Sequence, residues 1–480
     1  MRNFSPSWQP GRKPGLSRAA AAAGALLLAG CASFSGDGGF GPVAQTAQAR
    51  LGHEVVWTRS DAAQATVGRR VAELLQQPLT LEAAVQLALL NNRGLQAAFF
   101  ELGIAEADLV QAGRLPNPGF SFGRMTQGDE IELERGLHLN LARLLAMPLL
   151  QQVEQRRFGQ VQARAAASVL DLAAQTRKAW VLAVAAEESV RYSTQVMQAA
   201  EASADLARRM AEVGNFNKLQ RAREQGFYAE AALGAARAQQ ARRAARERLT
   251  RLLGLWGSQT DFRLPDRLPD LPERPRDLPD VERLAIEQRL DVQGARLAVA
   301  QTASNLGLTR TTRFVNVLEL GLSRNSSNEA PTQRGWEVGF ELPLFDWGGA
   351  RVARAESVYM QALHGAAQTA IDARSEVREA YGTYRSAWDI ARHHRDEIVP
   401  LRQRIAEENV LRYNGMLIGV FELLADARAQ IASVNGAIDA LRDFWLSQAD
   451  LDMALVGKPG LLAAPAAAPA AASPGDAAAH

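Results

Sequence analysis

Hydrophobic positions along this chain follow two different periods, and the switches between them mark the elements. At 130–141, Ile131, Leu133, Leu137, Leu139 and Leu141 alternate with Glu130, Glu132, Glu134, His138 and Asn140. At 336–344, Trp336, Val338, Phe340, Leu342 and Leu344 alternate with Glu337, Gly339 and Glu341. A period of two predicts strands with one apolar and one polar face. Their hairpin partners read as "GFSFGRM" at 119–125 and "FVNVLELGLSR" at 314–324, with "NSSNEAPTQR" at 325–334 as a polar loop.

Elsewhere the spacing is helical. A helix is predicted over 81–112 and another over 278–309, with Thr80 and Asp277 placed as N-caps. Very long helical runs follow the strands, over 145–211 and 347–414. In the second, Tyr381, Tyr384 and Trp388, then Ile398, Leu401 and Ile405, fall three and four residues apart. At 1.5 Å per residue, such a run is on the order of 100 Å long. Each run stops at a cluster of poor helix formers, "EVGNFNKLQ" at 212–220 and "RYNGMLIGVFELL" at 412–424. A helix of about 35–40 residues follows each stop. A helix that halts and resumes in this way reverses direction, so the two stops are the tips of helical hairpins. Gly214, Asn215, Gly415 and Gly419 are the predicted turn formers, because a tight turn needs freedom in φ.

The order of elements occurs twice. "LALLNNRGLQAAFFELGIAEADL" from Leu87 resembles "LAIEQRLDVQGARLAVAQTASNL" from Leu284, an offset of 197 (284 − 87). "TRKAWVL" from Thr176 matches "VREAYGT" from Val377, an offset of 201, and Gly214 lies opposite Met416, an offset of 202. The register therefore slips by four and then by one, and the copy-one turn reads as one residue shorter. The chain is two copies of a unit of roughly 200 residues. The predicted divisions are 79–263 and 278–457 for the repeats, with a Pro- and charge-rich linker at 264–277 ("LPDRLPDLPERPRDLPD" extends it to 280). The tail from 458 to 480 is low-complexity and predicted to be disordered.

Strands of about ten residues with an apolar face have the length of a transmembrane strand. Four such strands cannot close a barrel, and lipid does not tolerate open sheet edges, so several chains would have to share one. The helices are too polar to span and would project into water. No window shows about 18 consecutive apolar residues.

Composition sharpens this picture at its N-terminus. Arg2, Arg12, Lys13 and Arg18 precede the short apolar run "AAAAAGALLLAG" and the single cysteine of the chain, Cys31. A basic region, an apolar region and small residues make a signal peptide, 1–30. Leu28-Ala29-Gly30-Cys31 resembles a bacterial lipobox, which implies cleavage before Cys31 and lipid on that cysteine. Residues 31–78 would then be an acylated linker. Ala32 and Ser33 follow with no Asp, which in lipoproteins of this kind implies export to the outer membrane. One cysteine excludes an intrachain disulfide. Lys+Arg number 54 against Asp+Glu 52, so charge gives no argument for nucleic acid. Hydrophobic residues are 47% of the chain but aromatic ones only 6%, which favours long helices packed through small side chains.

Catalytic and cofactor motifs are not visible. There is no Ser-His-Asp or zinc spacing and no phosphate-binding glycine loop, and His393 and His394, being adjacent on a helix, do not share a face. The reading is not an enzyme, with no cofactor.

The chain resembles the TolC-type outer-membrane efflux factors over roughly 79–457. The motifs that carry the resemblance are "LTLEAAVQLALLNN", "LPLFDWGGARVARAE" at the passage from strand to helix, the tip "RYNGMLIGVFELL", and the duplicated order of elements. It implies a mainly α fold with a small β part, a homotrimer, a shared outer-membrane β-barrel and a long periplasmic α-helical barrel. It also implies docking to a periplasmic adaptor and, through it, to an inner-membrane pump of the RND type. By the same resemblance the tips, Gly214, Asn215, Phe216, Asn217, Lys218, Gly415, Met416, Leu417 and Gly419, are the adaptor-docking residues, and Arg412, Tyr413 and Glu422 are the candidate gate. Relatives often carry Arg-Tyr, two residues, then Gly. Here Met416 takes the glycine place and Gly415 stands one earlier. In relatives an acid often follows six residues after that Gly, a place that Glu422 occupies here; in copy one, Met210 and Ala211 replace the Arg-Tyr pair and Gln220 replaces the acid. Glu422 is either a gate carboxylate or a solvated tip residue; Phe216, Leu417 and Phe421 are either exposed contacts or packed inside the hairpin. The competing reading is a periplasmic lipoprotein adaptor, which would need one helical hairpin flanked by β-rich halves.

Overall fold

The computed structural model describes residues 33–459, except Val315, Asn316, Leu342 and Pro343 and the side chain of Phe421. The signal peptide, Cys31 and the tail beyond Pro459 lie outside the described residues. The helices are α1 (Gly41–Leu51), α2 (Asp61–Leu74), α3 (Leu81–Asn91), α4 (Arg93–Ala112), α5 (Leu141–Glu212), α6 (Lys218–Leu253), α7 (Val281–Gln288), α8 (Leu290–Thr312), α9 (Gly349–His393), α10 (Val399–Asn414) and α11 (Val420–Val456). The strands are β1 (Gly119–Gln127), β2 (Glu130–Asn140), β3 (Leu318–Ser327) and β4 (Gln333–Phe340). None of the described helices is long and apolar enough to cross a membrane. Two compact units emerge. Among the described residues, one gathers Glu101–Val161 and Leu297–His364 with the segment 33–39, and the other Phe40–Phe100, Gln162–Arg296 and 365–459.

The first unit holds the sheet. Its order is β1-β2-β3-β4, and every neighbouring pair is antiparallel. The two hairpins come from the two copies, and β2 joins β3 through pairs such as Leu137 with Leu322. The predicted strands shift at their ends. Leu141 starts α5 rather than closing β2, because Asn140 Oδ1 accepts the Arg143 N–H at 2.8 Å and turns the backbone into a helix. In the second copy, β4 stops at Phe340, and Leu344 lies in a bend. Half of the predicted polar loop is strand: Asn325–Ser327 extend β3 and Gln333 and Arg334 open β4, leaving 328–332 as the loop against the tight Gly128-Asp129 turn of copy one. Most of the four-residue slip between copies lies in that loop.

The second unit is helical. Thr80 caps α3, its side chain accepting the Ala83 N–H at 3.2 Å, a contact worth about 1 kcal/mol. Asp277 is not a cap. The helix begins after Asp280, and Asp277 Oδ1 instead accepts the Tyr381 hydroxyl at 3.2 Å. The single helix predicted at the start of each copy is broken, at Asn92 and at Arg289, and 289 − 92 is again 197. Both residues are extended, with ψ of 118° and 127°. Asn92 caps α4 by accepting the Leu95 N–H at 3.0 Å and donates to the Leu252 carbonyl at 2.9 Å. Arg289, 1% exposed, reaches Asp291 at 2.7 Å and Glu376 at 2.6 Å and approaches the Ala454 carbonyl. Leu252 and Ala454 are 202 apart, so the break docks onto the end of the last helix in both copies.

α5 runs unbroken for 72 residues. Its counterpart does not. α9 and α10 are separated by a π-helical turn, His394–Ile398. A π turn is the usual way for a helix to absorb one extra residue. It falls between the match at offset 201 and the tip at offset 202, and so accounts for the one-residue slip. The aromatic stripe before it forms core: Tyr384, Trp388 and Ala391 pack on Ala440, Phe444 and Leu451. In the turn and after it the stripe is shallower, with Ile398 and Ile405 half-buried and Leu401 exposed.

The Pro-rich linker is a packed strap. Leu268 and Leu271 are buried, Trp388 Nε1 donates to the Pro272 carbonyl at 2.9 Å, and Trp445 Nε1 donates to that of Pro269 at 3.0 Å. Residues 31–78 are likewise no loose linker where described, since α1 and α2 bury Val43, Ala47, Val67 and Val71.

Candidate functional site

The tips have the same geometry in both copies. α5 ends at Glu212 and α10 at Asn414; α6 resumes at Lys218 and α11 at Val420. Each boundary is offset by 202, so neither turn is shorter, contrary to the sequence reading. In copy one the Gly214 N–H donates to Ala211 at 3.2 Å and the Asn215 N–H to Met210 at 2.8 Å. In copy two the Met416 N–H donates to Tyr413 at 3.0 Å and the Leu417 N–H to Arg412 at 2.8 Å. This is the paired bonding of a Schellman C-terminus, whose C′ residue is left-handed. That residue is Gly214 (φ 82°) in copy one and Met416 (φ 57°) in copy two.

Here the expectation for the tip glycines is corrected. Gly415 has φ −79° and Gly419 φ −81°, so neither supplies left-handed backbone, and nor does Asn215. The chain places the strain on Met416, where an L side chain costs about 1–2 kcal/mol. Gly419 instead caps α11 from an extended conformation with no side-chain bond. Asn217 caps α6 with a full capping box, exchanging bonds of 2.8 Å with Gln220. The copy-one tip is therefore held by side chains at its second helix start, and the copy-two tip is not.

Strain is paired with exposure. Met416 is 93% and Leu417 76% exposed. Val213 and Leu219, which the sequence reading did not single out, are exposed as well; they are the apolar residues flanking the copy-one turn. Phe216 is half-buried, and Lys218 and Asn217 are exposed. Both tips thus present apolar side chains to solvent at the end of long polar helices, the form of a partner-contact surface. Of the gate candidates, Arg412 pairs with Glu408 on its own helix at 3.3 Å, Tyr413 is partly exposed and Glu422 is exposed in the first turn of α11. A carboxylate there is favoured by the helix N-terminus. No bond joins these three to one another among the described residues.

About two turns into the helices, the copies are fastened together. Glu224 of α6, 2% exposed, accepts from Arg428 of α11 at 3.0 Å and from Ser203 at 2.9 Å. Its copy-two counterpart Asp426 (offset 202) accepts from Asn409. Each tip is so clamped across its own hairpin by one acid, buried in copy one (Glu224) and half-buried in copy two (Asp426), and Glu224 adds a tie between copies. None of these five side chains stands out in the sequence; the offset of 202 relates only Glu224 to Asp426.

The sheet has one face of each kind. Paired residues share a face, and Leu139, Leu320 and Val338 lie in one cross-strand row, with Leu137, Leu322 and Trp336 in the next. Phe120, Phe122, Trp336 and Phe340 of this face are exposed. The other face carries Glu132, Glu134, His138, Glu319 and Glu337 with Gly136, Gly321 and Gly339 between them. β1 and β4 each have one edge with no partner strand among the described residues.

No protein-family profile matches the chain. A relative from Cupriavidus metallidurans, the cobalt-zinc-cadmium resistance protein CzcC, is 27% identical over 282 residues. That match covers 56% of this chain and 64% of the relative, so the chain spans somewhat less than two thirds of the relative it matches. Among solved structures, the Campylobacter jejuni outer-membrane channel CmeC is similar with a TM-score of 0.68 at 18% identity, over 78% of this chain and 85% of that one. CusC is similar with a TM-score of 0.65 at 17% identity, over 79% and 92%. The open state of the Neisseria gonorrhoeae outer-membrane channel MtrE gives 0.66 at 19%, over 78% and 89%.

Proposed function

We propose that this chain, whose fold is that of the TolC-type outer-membrane channels, is the passive exit duct of a tripartite efflux system. The observation that carries this reading is the sheet. It has two open edges and an exposed apolar face, and such a sheet is stable only when copies close it into a barrel in lipid. A homotrimer supplies the closure. The polar face then lines a wet lumen, the long helices continue the duct in the periplasm, and Cys31 carries the lipid anchor. The chain needs no catalytic residue and is not an enzyme; an inner-membrane pump, of the RND type, supplies the energy.

The tips around Gly214 and Met416 take the periplasmic adaptor, with Val213, Phe216, Leu219, Met416 and Leu417 as the apolar contacts. Arg412, Tyr413 and Glu422 form the gate. The name of the Cupriavidus relative makes divalent metal cations the first cargo to test. The adaptor reading is disfavoured, because the four described strands form one sheet shared by two copies rather than flanking one hairpin.

The deciding experiment is expression in a Gram-negative host. The expected result is a trimer in the outer-membrane fraction that collapses to monomer on boiling and conducts in planar bilayers. A soluble, non-conducting monomer would refute the proposal. Glu422→Ala is expected to change conductance or block by cations; unchanged behaviour removes Glu422 from the gate.

A further inference from the structure

The apolar face of the sheet is crossed by a band of arginines. Arg135 of β2 pairs directly with Arg324 of β3, and Arg324 with Arg334 of β4. Arg124 of β1 pairs with Leu133, one same-face step from Arg135. By the pairing, all four stand on the face of Phe122, Leu322 and Trp336. Directly opposed side chains on a sheet have Cβ atoms about 4.5–5.5 Å apart, and like charges at that spacing repel. No carboxylate answers them: none of the four side chains has an ion pair or hydrogen bond among the described residues, and the glutamates of the sheet are on the opposite face.

The band also has a position. It lies toward the turns at 128–129 and 328–332, while Leu137, Leu139, Leu320, Val338 and Phe340 fill the face between it and the helices. We propose that this band is a docking surface for the phosphates of lipopolysaccharide, that is, of lipid A in the outer leaflet. The proposal rests on the channel reading, in which the helices are periplasmic and the turns face the exterior. Within that frame the apolar rows lie in hydrocarbon and the arginines reach the outer headgroup level. Arginine suits the place. Its stem lies along apolar surface while its head stays at the interface, and its planar fork binds phosphate through two parallel bonds. Three aligned cations want an anion bearing more than one phosphate, which lipid A offers and a single phospholipid headgroup does not. The repulsion within the band becomes attraction once that anion is seated, so the lipid would also strengthen the pairing of β2 with β3 across the two copies.

The test uses the full-length protein reconstituted in phosphatidylcholine nanodiscs. Lipid A, dephosphorylated lipid A and phosphatidylglycerol are titrated in turn, with bound lipid read by native mass spectrometry and trimer stability by heat-modifiable migration. Lipid A is expected to bind on the order of 10-fold more tightly than either alternative and to raise the dissociation temperature. The triple variant Arg135→Gln, Arg324→Gln, Arg334→Gln is expected to lose that preference, and the corresponding lysine variant to keep part of it. Equal binding of dephosphorylated lipid A, equal binding of phosphatidylglycerol, or an unchanged preference in the glutamine variant overturns the proposal. Where the glutamine variant does not assemble, the lipid comparison on the unmodified protein decides. Failure of the channel reading is a different result: no trimer and no insertion into any bilayer.

Discussion

At the scale of single residues, the tip of copy two is the most informative place in the chain. Three residues there look alike as helix breakers in the sequence, Asn414, Gly415 and Gly419, yet the left-handed backbone falls on none of them. It falls on Met416, because the turn is defined by bonds back to Arg412 and Tyr413, which fix which residue must turn over. Comparison with copy one makes the cost testable. Met416→Gly is expected to stabilise the protein by about 1 kcal/mol, by removing the left-handed penalty. Gly214→Ala is expected to destabilise by a similar amount, since Gly214 has φ 82°. Gly415→Ala is expected to be near neutral, because a Cβ at Gly415 meets nothing closer than 3.5 Å. Denaturant midpoints of the three variants check the order; a stabilising Gly415→Ala with a harmful Met416→Gly would reverse the assignment. That Met416 keeps an exposed apolar side chain in spite of the strain supports its place among the adaptor contacts.

A second residue-scale prediction concerns pH. Burial, then the charge of Arg177, holds His53 below its ordinary value of 6.5. The folded protein therefore prefers the neutral ring, and between the lowered value and 6.5 the unfolded chain binds more protons. Stability from this group is complete above pH 6.5 and is lost as pH falls below it. His53→Gln is expected to flatten the acid side of the thermal stability curve between about pH 7 and 5 relative to the unmodified protein. Glu188 and Asp171, raised by burial, act in the opposite direction as pH falls, and the difference between the two proteins isolates the histidine.

Among the elements, the sequence made the strands, the hairpins and the helix order legible, because period and length are local properties. It did not show the breaks at Asn92 and Arg289, because these are decided by distant partners. Arg289 is held by Glu376, 87 residues away, and Asn92 by the end of α6, 160 residues away. Nor did it show that the Pro-rich segment is packed, because proline marks the absence of helix and says nothing of the tryptophans that hold the strap. The π turn lies between these cases. Its trace was the change of offset from 201 to 202, but an offset does not say where an extra residue sits. A π turn absorbs a residue without changing the phase of the helix beyond it, whereas one residue removed from a regular helix turns everything downstream by about 100°. Deleting Glu397, exposed within the turn, is thus expected to leave a folded protein with a melting temperature within a few degrees of the original. Deleting Gln368 from α9 is expected to misalign Tyr384 and Trp388 and to abolish cooperative melting. Circular dichroism melts of the two deletions check this, and equal damage from both would show that the π turn is not the inserted residue.

For the whole molecule, duplication is the organising fact, and the sheet is one place where the copies meet. One copy supplies β1 and β2, the other β3 and β4, and the β2–β3 ladder binds them into one wall with opposite faces. Which face meets lipid is the step from fold to function, and the two faces can be tested against each other. Leu320 lies centrally on the apolar face, between Leu139 and Val338. Asn325 lies on the polar face, between Glu134 and Gln333. A lysine facing the middle of a bilayer costs about 2–4 kcal/mol, whereas one facing the lumen of a barrel is solvated. Leu320→Lys is accordingly expected to reduce sharply the trimer recovered from the outer membrane and to lower its dissociation temperature. Asn325→Lys is expected to assemble normally and to reduce cation conductance, since it places a positive charge among the glutamates of the lumen. Both variants add the same charge to the same strand, so general damage to β3 would affect them equally. Equal loss of trimer would remove the apolar face as the lipid contact, and with it the reason for closing this sheet into a barrel.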